Sequence, residues 1–115
     1  ANTMSWERYG NLVMKEFEVS HKGDDTFLYR QAYEVANEYN QNPVAIQLAL
    51  DWMTKANEIN PSFDNLVLHS FLYGMKGDYT QAMDIVEELK AIEKSEEQEK
   101  VLGELIGLIE KAKTQ

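Results

Sequence analysis

His69 and Ser70 stand side by side with Asp64 a short way upstream, and these are the residue types of a hydrolytic triad. A triad works only when nucleophile, base and acid converge through hydrogen bonds. Neighbouring side chains on one helix diverge by about 100°, so the trio reads as a packed or surface histidine beside a serine. His21 and His69 are the only histidines and there is no cysteine. That falls short of the three or four convergent nitrogen or sulfur ligands of a zinc site. The expectation is therefore no intrinsic catalysis, no bound metal and no cofactor. Asp24-Asp25 lacks the oxygen-rich loop of a calcium hand and reads as a helix cap. Gly103 and Gly107 make a Gly-x-x-x-Gly, which in a membrane favours helix dimers. Here Glu104 interrupts a short apolar stretch, so the expectation is close packing of the last helix on its neighbour. The acids Glu87, Glu88, Glu93, Glu96, Glu97 and Glu99 are interspersed with Lys90, Lys94 and Lys100, the pattern of a solvated helix surface.

Composition narrows the partners. With 20 acidic against 11 basic residues the chain carries a net charge of −9. Nucleic-acid phosphates and anionic membrane surfaces call for the opposite sign, which leaves a neutral or basic protein or peptide. No apolar run approaches the ~20 residues of a membrane span. The 115 residues fit one domain, and at 43% hydrophobic content they suffice to bury a core. The chain opens at Ala1 with its first methionine at Met4, which reads as a mature protein or an excised domain.

The elements that carry these residues are all helical. Apolar residues recur every three or four positions, and no segment alternates as a strand does. A first helix is expected from Asn2 or Thr3 to Val19, with Trp6, Tyr9, Val13 and Phe17 on one stripe and Gly23 as a left-handed stop. A second runs over 26–40 through Phe27, Tyr29, Ala32, Tyr33, Ala36 and Tyr39, capped by Asp24 or Asp25. Asn42-Pro43 opens a third over 43–59, with Ile46, Ala49, Leu50, Met53 and Ala56 inward. Ser62 caps a fourth over 63–75, bearing Phe63, Leu66, Val67, Leu72 and Tyr73. Gly77-Asp78 leads into a fifth over 78–93, bearing Tyr79, Ala82, Met83, Val86, Leu89 and Ile92. Ser95 and Gln98 have capping-box spacing before a sixth over 96–113.

A shift of 33 residues lays apolar on apolar: Tyr33 on Leu66, Tyr39 on Leu72, Ile46 on Tyr79, Ala49 on Ala82, Met53 on Val86 and Ala56 on Leu89. The run Gly77-Asp78-Tyr79-Thr80-Gln81-Ala82, with Ala49, Met53, Ala56 and Pro61, resembles the tetratricopeptide repeat over about 26–93. The departures are His69, Leu89, Lys94 and a first turn, Gln41-Asn42-Pro43-Val44, without Gly-Asp. The resemblance implies an all-α fold of about six helices in antiparallel tetratricopeptide-like pairs. The expected organisation is an N-terminal helix over 1–23, units over 26–60 and 62–93, and a capping helix over 95–115. Repeat stacks need such an end piece because each pair leaves an apolar face for the next.

The same resemblance implies a protein-interaction or scaffold role, with a ligand on the face lined by the first helix of each pair. That places a partner-binding groove at Gln31, Glu34, Glu38, Gln41, Val67 and Phe71. Glu34 and Glu38 would repel a carboxylate terminus, so a neutral or basic peptide is expected, with Phe71 as its anchor. A narrower pattern, Ala49 to Ala56, then Ile59-Asn60-Pro61, Leu72-Tyr73 and Lys76-Gly77, is similar to helical extensions that follow thioredoxin-like domains in some Gram-negative bacterial proteins. On that alternative the chain positions an oxidoreductase domain and is periplasmic or secreted; otherwise it is cytoplasmic. The sixth helix carries more apolar surface than one neighbour covers, with the excess around Leu108. Self-association through that helix, or contact with another domain, is the expectation.

Overall fold

The computed structural model describes residues 3–114, so the alternative helix start at Asn2 lies outside the described residues. Among those residues there are six α-helices and no strand: α1 (Thr3–Ser20), α2 (Asp25–Glu38), α3 (Pro43–Ile59), α4 (Phe63–Lys76), α5 (Tyr79–Ala91) and α6 (Glu96–Lys113). Among the described residues no helix is long and apolar enough to cross a membrane.

Local chemistry sets the helix ends. The carboxylate of Asp24 accepts from the amides of Thr26 and Phe27, and the Asn42 amide oxygen accepts from Val44 and Ala45 with Pro43 in the first turn. Ser62 Oγ accepts from Asn65 N, and an Asp78 carboxylate oxygen accepts from Gln81 N. Each satisfies an amide that the first helical turn leaves unpaired. Ser95 and Gln98 form the full reciprocal capping box. Gly77, at φ 92°, closes α4 in the left-handed region that other residues avoid. Lys94, where the tetratricopeptide pattern has a proline, caps the end of α5: its Nζ donates to the carbonyls of Leu89, Lys90 and Ile92. Lys94 thus joins the Ile92 amide on the Leu89 carbonyl, serves the Lys90 and Ile92 carbonyls beside it, and sets a positive charge at the negative end of the helix.

Packing follows the chain order. α2 packs on α3, α3 on α4 and α4 on α5; α1 lies against α2 and α3, and α6 against α4 and α5. Two clusters make the core. One joins α1, α2 and α3 with Leu68 and Leu72 of α4; the other joins Leu66 of α4 with α5 and α6. α1 comes close to α3 because residue 10 is glycine: a Cβ there would sit 2.6 Å from Leu48 Cδ2. Between α4 and α5, buried Ser70 donates Oγ to the Ala82 carbonyl at 2.9 Å. A buried amide ties α2 to α4. Asn65 Nδ2 donates to Asp25 Oδ2 and to the Asn60 carbonyl, both at 2.8 Å.

Several expectations need correction. α2 ends at Glu38 and not at 40, α4 extends to Lys76, and α5 covers Tyr79–Ala91, with Ile92 an exposed cap. Tyr33 and Tyr39 are exposed, whereas Leu28, Val35, Trp52, Leu68 and Ile85 are buried. Helices held between two neighbours bury two faces, and a single stripe shows one. The 33-residue shift matches burial for α3 and α5, where Ala49, Met53 and Ala56 meet Ala82, Val86 and Leu89, all fully buried. It fails for α2 and α4, whose buried residues superpose one turn further on: Leu28 with Asn65, Ala32 with His69 and Val35 with Leu72. The first pair holds the extra turn, since Pro43 opens α3 well before Ala49 while Tyr79 opens α5 just before Ala82. Gly103 and Gly107 face open space, with nothing within 4 Å of a Cβ at either, so they do not pack α6 on its neighbour. Leu102, Leu105 and Ile109 do that, while Leu108 is 52% exposed, as its place on the helical projection predicts.

Candidate functional site

Among the recesses that open on this framework, two touch the residues expected to line a groove. The first lies between α1 and the end of α2 and is lined by Ser5, Trp6, Tyr9, Glu34 and Tyr39, with a volume of about 290 Å³. Trp6 and Tyr9 sit three apart and share one face of α1. Tyr39 caps α2, immediately past its last helical residue. The three rings meet nearly at right angles: Trp6 and Tyr39 with centroids 4.7 Å apart at 74°, Trp6 and Tyr9 5.7 Å apart at 82°. Such edge-to-face contacts are the favoured arrangement for aromatic quadrupoles. Trp52 of α3 backs Tyr9 in the same manner at 6.2 Å. Tyr9 donates its hydroxyl to Gln31 Oε1 at 3.1 Å, which fixes the ring against α2. Burial raises the Tyr9 pKa above 10.0, and the charge of Glu34 adds to the rise, followed by Tyr39 and Glu16. The Trp6 indole Nε1 is buried without an acceptor.

The second recess lies between the C-terminal half of α4 and α6, lined by Phe71, Gly74, Met75, Leu108, Ile109 and Ala112, with a volume of about 190 Å³. Every side chain there is apolar, so it offers contact area and no directional bond.

The groove residues expected from sequence divide between these places. Gln31 is half-buried and held by Tyr9, and Glu34 is exposed on the aromatic recess. Glu38 is exposed at the end of α2, and Gln41 is exposed in the following link, donating to Asn40 Oδ1. Val67 is half-buried against the second core cluster, and Phe71 touches both clusters and lines the α4–α6 recess. Neither of these two recesses gathers them all. Trp6, Tyr9 and Tyr39 were legible only as apolar positions. The signal that marks them is their polar tips beside an acid, since Tyr and Trp join an apolar body to a hydrogen-bonding end.

The triad-type residues turn to separate partners. Ser70 donates its hydroxyl hydrogen bond to Ala82 O, and Asp64 is exposed at the start of α4. His69 is 9% exposed and stacks on Tyr73. Its Nδ1 lies 3.0 Å from Asn57 Nδ2, and its Nε2 lies 3.5 Å from Thr54 Oγ1. Thr54 already donates to Leu50 O, so its oxygen accepts from Nε2–H while Asn57 donates to Nδ1. Such contacts suit a neutral imidazole, and burial holds the His69 pKa below 6.5. His21 lies face to face with Phe27 at 4.2 Å, close to Glu16 and Asp24. Among the described residues no three His, Asp or Glu side chains gather as a metal site would need. The acidic residues of α5 and α6 are exposed, with Glu87 paired to Lys90 and Glu99 to Lys94.

In comparisons with known proteins the chain matches no family model, no curated protein and no solved structure.

Proposed function

We propose that this chain is a protein-interaction module made of two tetratricopeptide-like helix pairs, α2–α3 and α4–α5, flanked by α1 and capped by α6, with no reaction of its own. The observation that supports this reading is the repeated spine: Ala49, Met53 and Ala56 are buried in the same register as Ala82, Val86 and Leu89. Stacked pairs of this kind hold themselves together through neighbour contacts and leave an extended outer surface for a partner. That surface includes the aromatic recess beside Glu34 and the apolar recess at Phe71. The partner is a neutral or basic peptide, because Glu34 and Glu38 are exposed and the chain is strongly acidic.

A random peptide library selected against the folded chain, with an unrelated helical domain for subtraction, tests the proposal. Enriched peptides are expected to bind by fluorescence anisotropy and to be poor in acids. Phe71→Ala, checked for an intact helical spectrum, is expected to weaken peptides seated at the α4–α6 recess by about 1 kcal/mol or more. A selection that enriches nothing over the subtraction domain counts against the module reading.

A further inference from the structure

The aromatic recess combines three features that point to one kind of guest. Its walls are the rings of Trp6, Tyr9 and Tyr39, meeting edge to face; Trp6 is 5% exposed and forms the floor, Tyr9 is half-buried, and Tyr39, 43% exposed, supplies the open ring surface. Its acid, Glu34, is exposed and has no ion-pair partner among the described residues. Glu16 adds to Glu34 in raising the Tyr9 pKa, after burial. Aromatic faces attract cations within about 6 Å of the ring centroid, and the attraction grows as water is excluded. An apolar guest would cover the carboxylate and leave it unpaired, which is costly. An acidic guest would be repelled.

We infer that the Trp6–Tyr9–Tyr39 recess receives the basic side chain, arginine or lysine, of a bound peptide, with the cation set between the rings and the Glu34 carboxylate. The inference rests on the interaction-module reading and names what one part of that surface selects. Both basic side chains have a methylene stem that lies along apolar surface while the head stays with its charge partner. A recess of about 290 Å³ has room for both parts. Tyr9 is held by Gln31 and backed by Trp52, so the wall is set before the guest arrives.

The test follows the Trp6 indole N–H cross-peak of the full chain by NMR, assigned with Trp6→Phe. The probes are the blocked tripeptides Gly-Arg-Gly, Gly-Lys-Gly and Gly-norleucine-Gly, and tetramethylammonium alone. The basic tripeptides are expected to move the Trp6 signal with a dissociation constant on the order of 1 mM, while the norleucine peptide leaves it in place. Glu34→Gln, an exposed change, should weaken the basic peptides about two- to five-fold and reduce their sensitivity to salt. Tyr39→Ala should weaken them as well, with the rest of the spectrum unchanged. Equal shifts from the norleucine peptide, or unaltered affinity in Glu34→Gln, would overturn the assignment. Tetramethylammonium binding as tightly as the basic peptides would overturn the peptide as occupant. Library peptides that bind without moving Trp6 would sink this inference and leave the module reading standing. Basic tripeptides that bind when the library yields nothing would support the recess and sink the wider reading.

Discussion

Three glycines in helix interiors should respond to alanine in opposite directions, and the signs follow from what each Cβ would meet. Gly103 and Gly107 lie within α6 with nothing within 4 Å of an added Cβ. Glycine in a helix interior costs roughly 0.5–1 kcal/mol relative to alanine, because the unfolded chain loses more freedom on ordering. With no contact to oppose the gain, Gly103→Ala with Gly107→Ala should stabilise the chain by about 1–2 kcal/mol. At an unfolding entropy of about 2 cal/mol/K per residue, that raises Tm by about 4–8 °C. Gly10 is the counterpart. Its Cβ would lie 2.6 Å from Leu48 Cδ2 and 3.2 Å from Cδ1, so the methyls must move or the helices part. Overpacking of that kind costs about 1–3 kcal/mol and outweighs the propensity gain. Gly10→Ala should therefore destabilise by about 1 kcal/mol, and in a Leu48→Ala background it should become stabilising. Chemical denaturation of the five proteins measures every arm. Destabilisation by the α6 alanines would mean that this face contacts something, and a stabilising Gly10→Ala would show that Leu48 yields freely; each result refutes the corresponding step.

Asn65→Ala removes the buried amide that bonds Asp25 and the Asn60 carbonyl, and should cost about 1.5–3 kcal/mol by urea denaturation; a loss under half a unit would show that the tie between α2 and α4 is incidental. His69 has a folded pKa below 6.5, so as pH falls through 6.5 the unfolded chain takes up a proton that the folded chain refuses. Stability contributed by the neutral histidine is complete above 6.5 and declines toward the folded pKa, with a slope of at most about 1.4 kcal/mol per pH unit. Wild type should accordingly lose stability relative to His69→Gln between pH 7 and 5, and a difference that does not change with pH would contradict the assignment. Removal of residues 96–115 exposes the second core cluster, which α6 covers with Leu102, Leu105 and Ile109, and should lower the melting temperature sharply in calorimetry; an unchanged melt would make α6 an appendage.

Helix number and most boundaries were legible because they are local. Asp24, Asn42-Pro43, Ser62, Gly77-Asp78 and Ser95 with Gln98 act within three residues of themselves. Burial was legible on one face of each helix only. Leu28, Val35 and Leu68 occupy second faces, which become interior once another helix arrives from elsewhere in the chain. The glycines of α6 misled because a small residue permits close approach without causing it, and no neighbour comes near. The aromatic recess was hidden for the converse reason. Trp6 and Tyr9 belong to a correct apolar stripe, and only the stop of α2 at Glu38 brings Tyr39 beside them.

The placement of α4 has a consequence for cutting this chain. Leu68 and Leu72 serve one core cluster and Leu66 the other, while Phe71 and Tyr73 touch both. A piece ending at the 60–61 turn would carry α1 to α3 with a bare apolar slot, and a piece starting there would carry α4 with half its surface unmatched. The repeat boundary in the sequence is thus a poor place for scissors. Two such pieces, made separately, should each be soluble only marginally and should recover their fold on mixing, with α4 as the shared tongue that joins them.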